Sequence, residues 1–460
     1  MAKRIAIVGG GIAGVTAAWQ LARMAAEGAE VEAVLFEASP RLGGIVETVR
    51  EDGFTIECGP DAWVTEKPWA RELAEELGLG DEIISSNDAT RKTYVLVGGE
   101  LVAIPDGMRM MVPSDLEALE RPALFSAEAK AAYRNEVARA AELKACAPDE
   151  DESVAEFVQR HFGMEVLEKI GAPLLGGVFG GDVTTLSVRA VMAPFVAMER
   201  EHGSLIVALQ QRSREVAARP VFTALRSGVG TLIDAMVAGI PEAWIRLKTP
   251  VIAVERDDAG WRVQTANGWE SFDGLMMAAP ADVARGLLSG TDSVAAELME
   301  MEASSAVLAG FGFREQVDVP AGFGFLVPPG SSESSLLAGT FVHQKFDGRV
   351  PEGCSLLRGF FGGAAAERLL DAEDEEIAGL VRRELEAILG KMPEPAVTVV
   401  RRWPRALPQY AVGHLERMKE LFAQVDAMGQ LWLLGNGYRG VGLPDLVRDA
   451  RVAARAAVAF

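Results

Sequence analysis

The chain has 460 residues, of which 49% are hydrophobic and 24% charged, so its composition is globular and its length favours two or three domains. Its formal net charge of −21 argues against nucleic-acid binding, which needs a basic surface, and against attraction to anionic lipid. Three widely spaced cysteines without a CxxC pattern argue against zinc and against a disulfide framework, and a reducing compartment fits them.

The first predicted elements form a β-loop-α-β unit. Residues 4–8 are an apolar strand, residues 15–25 have a helical pattern, and residues 31–36 form a second apolar strand that ends at Glu37. This order is typical of the start of a parallel sheet with a right-handed crossover.

The middle of the chain changes character twice. Residues 114 to about 218 are almost wholly helical in pattern and include Ser153-Val154-Ala155-Glu156, which matches a capping box. We therefore predict an inserted helical domain, with mixed strands and helices again from residue 221. The other predicted elements are a helix at 69–77 ended by Gly78, strands at 93–97, 101–104, 251–255, 261–265 and 275–278, several strands within 311–361, a helix at 374–389, and a last strand at 431–434 before a final helix.

The sequence Gly9-Gly10-Gly11-Ile12-Ala13-Gly14, between the first strand and helix, has the spacing of a dinucleotide-binding loop. In such a loop Gly9 permits the tight turn, Gly11 leaves room for a pyrophosphate, and Gly14 lets the helix pack closely on the sheet. The helix N-terminus would offer free N–H groups to the phosphates. Glu37 stands where a carboxylate accepts hydrogen bonds from ribose hydroxyls. The alternative is a glycine-rich turn without a ligand.

Two further segments favour FAD over NAD. Arg41-Leu42-Gly43-Gly44 supplies a second glycine pair for an extended FAD, although Arg41 could also be a solvated loop cation. Far along the chain, Gly442-Leu443-Pro444-Asp445 opens the last helix, with proline pre-organised for helix entry. That helix would point its positive end at the isoalloxazine edge where charge accumulates on reduction, or would simply be a capped terminal helix. We therefore predict one flavin site built from both ends of the chain.

Several longer motifs are spread along the chain. They are Gly53-Phe54-x-x-Glu57-x-Gly59-Pro60-Asp61, Tyr94-Val95-Leu96-Val97 followed by Ile104-Pro105-x-Gly107, Gly176-Gly177-Val178-Phe179-Gly180-Gly181-Asp182, His202-Gly203-Ser204-Leu205-Ile206, Gly322-Phe323-Gly324-Phe325-Leu326-Val327-Pro328, Trp403 with Leu407-Pro408-Gln409-Tyr410-x-x-Gly413-His414, and Gly440-Val441-Gly442-Leu443-Pro444-Asp445. Through these motifs the chain resembles the FAD-dependent porphyrinogen oxidases of haem synthesis, within the wider amine oxidase and phytoene desaturase superfamily. The resemblance runs nearly end to end and is weakest in residues 114–150 and 283–320.

The resemblance implies an α/β fold of three interleaved parts. A Rossmann-like FAD-binding domain, similar to that of p-hydroxybenzoate hydroxylase, would comprise residues 1–90, 219–282 and 426–460. A β-rich substrate-binding domain would comprise residues 91–113 and 283–425, and a helical domain, which sits against the membrane in many members, residues 114–218. The implied cofactor-binding residues are Gly9, Gly11, Ile12, Ala13, Gly14, Glu37, Ala38, Arg41, Gly43, Gly44, Gly59, Pro60, Asp61, Val251, Trp403, Gly435, Gly442, Leu443 and Pro444.

The implied reaction is the oxygen-dependent oxidation of a porphyrinogen to its porphyrin, which removes six electrons in three flavin cycles. A hydride would pass from a methylene bridge to flavin N5 in each cycle, and dioxygen would reoxidise the flavin and give hydrogen peroxide. Because aromatisation supplies driving force, the protein has to hold the bridge carbon near N5, at about 3–3.5 Å, rather than supply acid–base groups. We accordingly predict no catalytic side chain and no metal, and a structural role for His202 and His414.

The substrate would need an apolar slot and cations for its propionates. Gly177, Phe179, Gly324 and Leu326 are the candidates for the slot, with ordinary core as the alternative. Arg109 falls where protoporphyrinogen-using members carry a propionate-binding arginine, whose fork suits a carboxylate. Lys67 falls near a lysine of the coproporphyrinogen-using members. Both could instead be surface cations.

The signals for the substrate conflict. Arg109 favours protoporphyrinogen IX, whereas Lys67 and the Gly-Pro-Asp form of residues 59–61 favour coproporphyrinogen III. Glu66 replaces a basic residue of the second branch, which weakens the case for a tetracarboxylate. We assign Asn436 no role, because many flavoproteins have an acid there.

We expect a cytoplasmic enzyme whose partners are a porphyrinogen and dioxygen, with peripheral membrane contact and a homodimer as further expectations. Residues 108–113 would be either an apolar lip at a membrane surface or, as we slightly favour, core under the helical insert. The competing functions are another flavin oxidase, such as an amine oxidase or carotenoid desaturase, and a non-catalytic FAD-binding protein. Amine oxidases usually present an aromatic pair at the flavin face, whereas residues 436–443 contain one aromatic residue, Tyr438.

Overall fold

The computed structural model describes residues 2–120, 123–215, 220–258 and 260–460, and strands and helices alternate in it largely as predicted. The strands are β1 (Lys3–Val8), β2 (Val31–Phe36), β3 (Thr48–Glu51), β4 (Phe54–Glu57), β5 (Trp63–Val64), β6 (Ile83–Ser85), β7 (Thr93–Val97), β8 (Glu100–Ala103), β9 (Met108–Arg109), β10 (Val112–Pro113), β11 (Phe222–Leu225), β12 (Ile245–Arg246), β13 (Ala253–Asp257), β14 (Gly260–Thr265), β15 (Gly268–Phe272), β16 (Gly274–Met277), β17 (Ala303–Phe313), β18 (Gly324–Leu326), β19 (Ala338–Phe341), β20 (Ser355–Gly362), β21 (Val397–Pro408) and β22 (Leu431–Leu433). The helices are α1 (Ile12–Ala26), α2 (Trp69–Glu76), α3 (Ala127–Ala138), α4 (Ala140–Ala145), α5 (Val154–Phe162), α6 (Met164–Val166), α7 (Ala172–Phe179), α8 (Val188–Val191), α9 (Ala193–His202), α10 (Leu205–Glu215), α11 (Gly230–Ala238), α12 (Ala281–Leu288), α13 (Ser293–Leu298), α14 (Val342–Lys345), α15 (Gly363–Glu367), α16 (Asp374–Leu389), α17 (His414–Met428) and α18 (Leu443–Ala459).

A five-stranded parallel sheet joins the two ends of the chain. Its strand order is β12-β2-β1-β16-β22, so the first strand lies at the centre and a strand from the last thirty residues lies at one edge. Parallel sheets need apolar cover on both faces. One face of this sheet carries α1 and α18, which share a core, and the other carries the β13–β15 meander and α17.

A seven-stranded mixed sheet forms the second part, in the order β21-β17-β20-β19-β18-β7-β8. Most of its pairings are antiparallel, whereas β18 pairs parallel with β7 and so joins the segment near residue 95 to the segment near residue 325. Helix α16 covers this sheet with Ile377, Val381 and Leu385, all almost completely buried.

The helices α3 to α10 pack around a core of their own, which includes Tyr133, Phe157 and Phe162. The same core takes in Met111 and Val112, both 0% exposed, and Met108 and Met110 pack half-buried against it. The apolar residues of 108–113 therefore pack against the helices, whereas the Arg109 side chain between them is 36% exposed. Within the described ranges, no helix combines the length and the apolar character that crossing a membrane requires. The predicted boundary between residues 218 and 219 lies outside the described residues, and the division into three domains stays a prediction.

The bounds of several elements match the prediction. The strand at Thr93–Val97 and the helix at Asp374–Leu389 have the predicted limits, and Ser153 and Glu156 form both halves of the predicted capping box. The first helix begins at Ile12, three residues earlier than predicted, because Gly11 is already its extended N-cap. The edge strands β12 and β15 were not predicted.

A buried histidine fixes the helical part from inside. The His161 ring is fully buried and lies between two carboxylates, with Nδ1 3.2 Å from Glu136 and Nε2 3.0 Å from Glu199. Glu136 also accepts hydrogen bonds from the backbone N–H of Leu205 and the hydroxyl of Ser204, so it fixes the start of α10. Burial alone would lower the pKa of His161, but the hydrogen bonds and charges of the two glutamates outweigh it and raise the pKa above 6.5.

We expect the stability of the protein to depend on the charge of His161. A raised pKa stabilises the fold below about pH 6.5, and this contribution is lost as the pH rises through the pKa of the folded state. The substitution His161→Gln should therefore cost about 3 kcal/mol near pH 6 and less near pH 9, because it removes the ring that contacts the buried Glu136 and leaves Glu199 with Arg160 as its cation. Urea unfolding at the two pH values measures both losses.

The matched control is His202→Gln, at a side chain that is 27% exposed and 3.7 Å from the exposed Glu201. This substitution should leave the unfolding midpoint nearly unchanged. Equal losses for His161→Gln at both pH values would contradict a charged ring in the folded state.

Candidate functional site

The glycine loop after β1 is closely packed at Gly9 and Gly14 and open at Gly11. Gly9 has φ +108°, and a Cβ there would lie 2.6 Å from the carbonyl oxygen of Ala278, whereas a Cβ at Gly14 would lie 1.9 Å from the carbonyl oxygen of Gly9. A Cβ at Gly11 would have no heavy atom within 4 Å. The open space therefore lies at the N-terminus of α1, where a pyrophosphate can meet free N–H groups.

The second glycine pair lies directly against this loop. Gly43 donates its N–H to the carbonyl oxygen of Gly10 at 2.7 Å, and a Cβ at Gly44 would lie 3.1 Å from the Cα of Gly11. The Arg41 guanidinium turns back on its own segment and donates to the carbonyl oxygens of Leu42 and Gly44. Arg41 thus shapes the loop, and its direct contact with a cofactor stays a prediction.

Glu37 holds the phosphate loop and retains capacity for a ligand. One carboxylate oxygen accepts the N–H of Gly10 at 2.6 Å, and the other accepts the N–H of Ser39 at 2.7 Å. Each oxygen keeps a second lone pair, so a ribose hydroxyl can still bind. Thr249 donates its N–H to the carbonyl oxygen of Glu37, which brings the half-buried Val251 segment to the same end of the sheet, next to Ala38.

The C-terminal half of the site is a loop held by aromatic side chains. Gly435 follows β22 with φ +125°. The Tyr410 hydroxyl donates to the carbonyl oxygen of Asn436 at 2.6 Å and accepts the N–H of Gly440 at 3.0 Å. The His414 ring stacks on Tyr410 and has Nε2 3.0 Å from the carbonyl oxygen of Tyr438.

Burial lowers the pKa of His414 from 6.5 to about 4, so the ring is neutral at physiological pH. This arrangement gives His414 the structural role that the sequence predicted. Asn436 is structural as well, because its side-chain amide donates to the carbonyl oxygen of Ala406.

The last helix begins with Gly442 as an extended N-cap, and Pro444 stands in its first turn. Asp445 follows in the same turn, is 3% exposed, and binds the ammonium group of Lys67. A carboxylate is favourable at a helix N-terminus, and Lys67 compensates its charge. The pair also ties the segment that follows residues 59–61 to the start of α18. The predicted substrate contact of Lys67 stays a prediction.

Five charged side chains form a buried ion cluster at the end of β4. They are Glu57, Asp61, Lys345, Arg349 and Arg358. Lys345 donates to both carboxylate oxygens of Asp61 at 3.0 Å, and Arg358 donates to one of them at 2.7 Å. Arg349 donates to Glu57 at 2.6 Å, and both side chains are almost completely buried. Three cations thus face two carboxylates, which leaves one excess positive charge.

The pKa values in the cluster follow from this excess. Burial alone would raise the pKa of Asp61, but the charges of Lys345 and Arg358 lower it from 3.8 to about 2. Burial also lowers the pKa of Lys345, and the neighbouring arginines oppose the gain from Asp61. The carboxylate of Asp61 is engaged by Lys345 and Arg358. The predicted contact of Asp61 with the cofactor stays a prediction, and the backbone of residues 59–61 could make it.

The backbone of this segment runs beside the second glycine pair. A Cβ at Gly59 would lie 2.0 Å from the carbonyl oxygen of Ile45, and Arg358 donates to the carbonyl oxygen of Gly59 at 3.1 Å. Trp403 donates its indole N–H to the carbonyl oxygen of Cys58. Trp403 therefore holds the end of β4 in place, beside Gly59 and Pro60.

Of the four candidates for the apolar slot, Gly177 and Leu326 lie next to each other, whereas Phe179 and Gly324 contact other residues. A Cβ at Gly177 would lie 3.8 Å from Leu326, so α7 and β18 meet there, and Gly177 is exposed. Phe179 is half-buried and accepts a hydrogen bond from Gln409 through its carbonyl oxygen. Gly324 is buried, and a Cβ there would lie 2.1 Å from the carbonyl oxygen of Gly339. Strand pairing therefore requires the glycine at 324, which does not line an open wall.

Arg109 does not stand alone at the surface. It lies on β9 and makes an ion pair with Glu66 at 3.0 Å, and Arg212 from α10 lies 3.5 Å from the same carboxylate. These contacts bring together the segment before α2, the β9–β10 hairpin and the helical part.

Sequence reasoning missed the residues whose partners are distant in the chain. Lys345, Arg349 and Arg358 lie in no recognised sequence motif. Their carboxylate partners Glu57 and Asp61 do lie in one, the motif of residues 53–61. No sequence motif contains Arg212. Glu66 drew attention only because it replaces a basic residue of the coproporphyrinogen-using branch.

The open space at Gly11 gives a direct test of the phosphate loop. The substitution Gly11→Asp should reduce bound FAD at least about tenfold, because it adds bulk and negative charge where the pyrophosphate is expected. The flavin-to-protein absorbance ratio of purified protein measures the loss.

The matched control is Gly286→Asp, at an exposed position where a Cβ would also have no heavy atom within 4 Å. This control should retain FAD. A full FAD content in the Gly11→Asp protein would refute the assignment of the loop.

The excess charge of the buried ion cluster gives a second test. Asp61→Asn should destabilise the protein by about 3–5 kcal/mol, because it leaves Lys345 and Arg358 buried without their carboxylate. Asp234→Asn, at a 67% exposed side chain that pairs with Arg50, should be nearly neutral. Denaturant unfolding measures both, and a loss below about 1 kcal/mol at Asp61 would contradict the importance of the cluster.

Comparisons with known proteins agree with this geometry. A model of the family of flavin-containing amine oxidoreductases matches residues 12–458. The chain is 32% identical to the coproporphyrinogen III oxidase of Bacillus subtilis, over 100% of this chain and 98% of that protein. It is 27% identical to the coproporphyrinogen III oxidase of Staphylococcus aureus, over 100% of both chains.

Among solved structures, a candidate protoporphyrinogen oxidase from Exiguobacterium sp. 255-15 is similar with a TM-score of 0.86 and 32% identity, over 100% of this chain and 99% of that one. A reduced UDP-galactopyranose mutase shares the fold at 16% identity, with a TM-score of 0.72, over 99% of this chain and 96% of that one. The predicted fold class, the predicted resemblance and the predicted cofactor are confirmed. The chain belongs to the family of flavin-containing amine oxidoreductases and is an FAD-dependent oxidoreductase.

Proposed function

We propose that this protein oxidises coproporphyrinogen III to coproporphyrin III in haem synthesis, with FAD as the hydride acceptor and dioxygen as the final oxidant, which is reduced to hydrogen peroxide. The observation that carries the proposal is the presence of two exposed arginines, Arg109 and Arg212, around one carboxylate where three parts of the molecule meet. A substrate that carries several carboxylates suits such a site. The names of the Bacillus and Staphylococcus relatives support the same substrate.

FAD supplies the redox chemistry when it is bound, by accepting a hydride at each oxidation. The contribution of the chain is to hold the cofactor and the substrate. Gly11 and the N-terminus of α1 would hold the pyrophosphate, and Glu37 would hold the ribose. Gly177 and Leu326 would contact the flat face of the macrocycle, and the arginines would bind its propionates.

The titratable side chains around the site are already engaged, which suits a reaction that needs little acid–base catalysis. His414 is neutral and buried against Tyr410, and Asp61 is bound by two cations. Asp445 in the first turn of α18 is neutralised by Lys67. The end of that helix therefore keeps its positive character towards charge that builds on a reduced cofactor.

The tetracarboxylate is favoured over the dicarboxylate by charge. Coproporphyrinogen III carries four propionates and protoporphyrinogen IX carries two. The binding of coproporphyrinogen III is therefore strengthened more by exposed cations. The Gly-Pro-Asp form of residues 59–61 and the position of Lys67 resemble the coproporphyrinogen-using branch and support the same choice. An amine substrate is not favoured, because Tyr410 and Tyr438 are both 3% exposed and the Tyr410 hydroxyl is bound to the loop backbone, so these two side chains form no open aromatic cage.

Anaerobic reduction of the bound flavin tests the proposal. Coproporphyrinogen III should bleach the visible absorbance of the flavin at least about tenfold faster than protoporphyrinogen IX, a difference of ~1.4 kcal/mol in the barrier. A primary amine should leave the spectrum unchanged. Bleaching by the amine, or no bleaching by either porphyrinogen, would contradict the proposal, and stopped-flow absorbance distinguishes these outcomes.

A further inference from the structure

Three charged side chains from three separate segments meet at one exposed point. Nη2 of Arg109 lies 3.0 and 3.2 Å from the two carboxylate oxygens of Glu66, and Nη2 of Arg212 lies 3.5 Å from one of them. The side chains are 36%, 47% and 64% exposed for Arg109, Arg212 and Glu66. Two guanidinium groups thus share a single carboxylate, and the group keeps a net positive charge.

The two arginines stand on supports that are fixed by buried hydrogen bonds. The hairpin that carries Arg109 is held by Tyr133, whose buried hydroxyl donates to the carbonyl oxygen of Met111. Helix α10, which carries Arg212, begins where Glu136 accepts the N–H of Leu205. Both arginines are therefore presented at defined positions.

The carboxylate between them has weaker support. Glu66 lies in the connection between β5 and α2, and its side chain is the most exposed of the three. Ion pairs in such exposed positions contribute little to stability, because water and salt screen them. Exchange of Glu66 for another carboxylate therefore costs little.

Neighbouring cations are committed elsewhere. Lys67 binds the buried Asp445, and Lys345 and Arg358 bind the buried Asp61. Arg109 and Arg212 differ from them because their carboxylate partner is itself exposed. A carboxylate from solution can reach these two guanidinium groups without opening a buried ion pair.

We propose that Glu66 is an internal stand-in for a substrate propionate. Arg109 and Arg212 form a clamp for one carboxylate, Glu66 occupies the clamp in the absence of substrate, and a propionate of the porphyrinogen displaces it. This inference rests on the proposed function. It makes the two arginines a clamp for one propionate and makes Glu66 a competitor that weakens substrate binding.

The proposal fixes the direction of each effect. Glu66→Gln keeps the shape of the side chain and removes its charge, so the KM for coproporphyrinogen III should fall about threefold, with kcat and FAD content unchanged. Arg212→Ala should raise KM about five- to tenfold, and Arg212→Lys should recover part of that loss, because lysine keeps the charge without the fork. In the Arg212→Ala background, Glu66→Gln should give a smaller gain, because half of the clamp is gone.

A second readout does not depend on turnover. Coproporphyrin III, the oxidised macrocycle with the same propionates, should bind more tightly to Glu66→Gln and more weakly to Arg212→Ala, as measured by the quenching of its fluorescence. The matched controls are Glu75→Gln and Arg71→Ala, which alter an exposed ion pair of 2.9 Å on α2. Both controls should leave KM and porphyrin binding unchanged.

The outcomes separate the two proposals. If Glu66 only positions the arginines, Glu66→Gln will raise KM instead of lowering it, and the stand-in role is refuted. An unchanged KM in Arg212→Ala refutes the clamp, while rapid bleaching of the wild-type flavin by a porphyrinogen leaves the proposed function intact. Failure of the wild-type protein to be reduced by any porphyrinogen refutes the proposed function itself.

Discussion

A buried ion cluster ties the end of β4 to the segment that includes β20 of the seven-stranded sheet. Its members are Glu57, Asp61, Lys345, Arg349 and Arg358. Glu57 is the last residue of β4 and Asp61 lies in the loop after it, whereas the three cations come from the later segment between α14 and β20. Buried charges are tolerated only with partners in good geometry. Neither segment can therefore move relative to the other without leaving a charge unpaired in the interior. This coupling fixes the backbone of residues 59–61 beside the second glycine pair, where we predict that it contacts the cofactor.

The second constraint is the strand order of the parallel sheet. With β1 at the centre and β22 at an edge, the loops that follow these strands open on the same end of the sheet. Ligands of open α/β sheets bind at the carboxyl ends of the strands. The glycine loop at residues 9–14 and the loop at residues 435–442 therefore lie at one end of the sheet, where we predict that one cofactor binds, although more than four hundred residues separate them in the sequence. Helices α1 and α18 pack together behind them and fix this relation.

Sequence reasoning succeeded where a structural role depends on local geometry. The packing of Gly9 and Gly14 and the open space at Gly11 follow from spacing alone, as does the capping box at Ser153. It failed where the partner lies far along the chain. Glu57 and Arg349 are 292 positions apart, and no periodicity links them. The meeting of Glu66 with Arg212 depends on how three segments converge. The motifs predict cofactor contacts for Arg41 and Asp61, and these stay predictions. The motifs did not reveal the partners within the protein, which are loop carbonyl oxygens for Arg41 and two cations for Asp61.

The shared core of α1 and α18 has a consequence for biosynthesis. Helices α1 and α18 share a core that includes Val15 and Ala18 from the first helix and Val447 and Ala450 from the second, all 0% exposed. Ribosomes release the N-terminal unit first, so this apolar surface has no cover until about the last thirty residues have emerged. Because the predicted flavin site uses the N-termini of both helices, we expect flavin to bind only after α18 has been synthesised and has packed on α1.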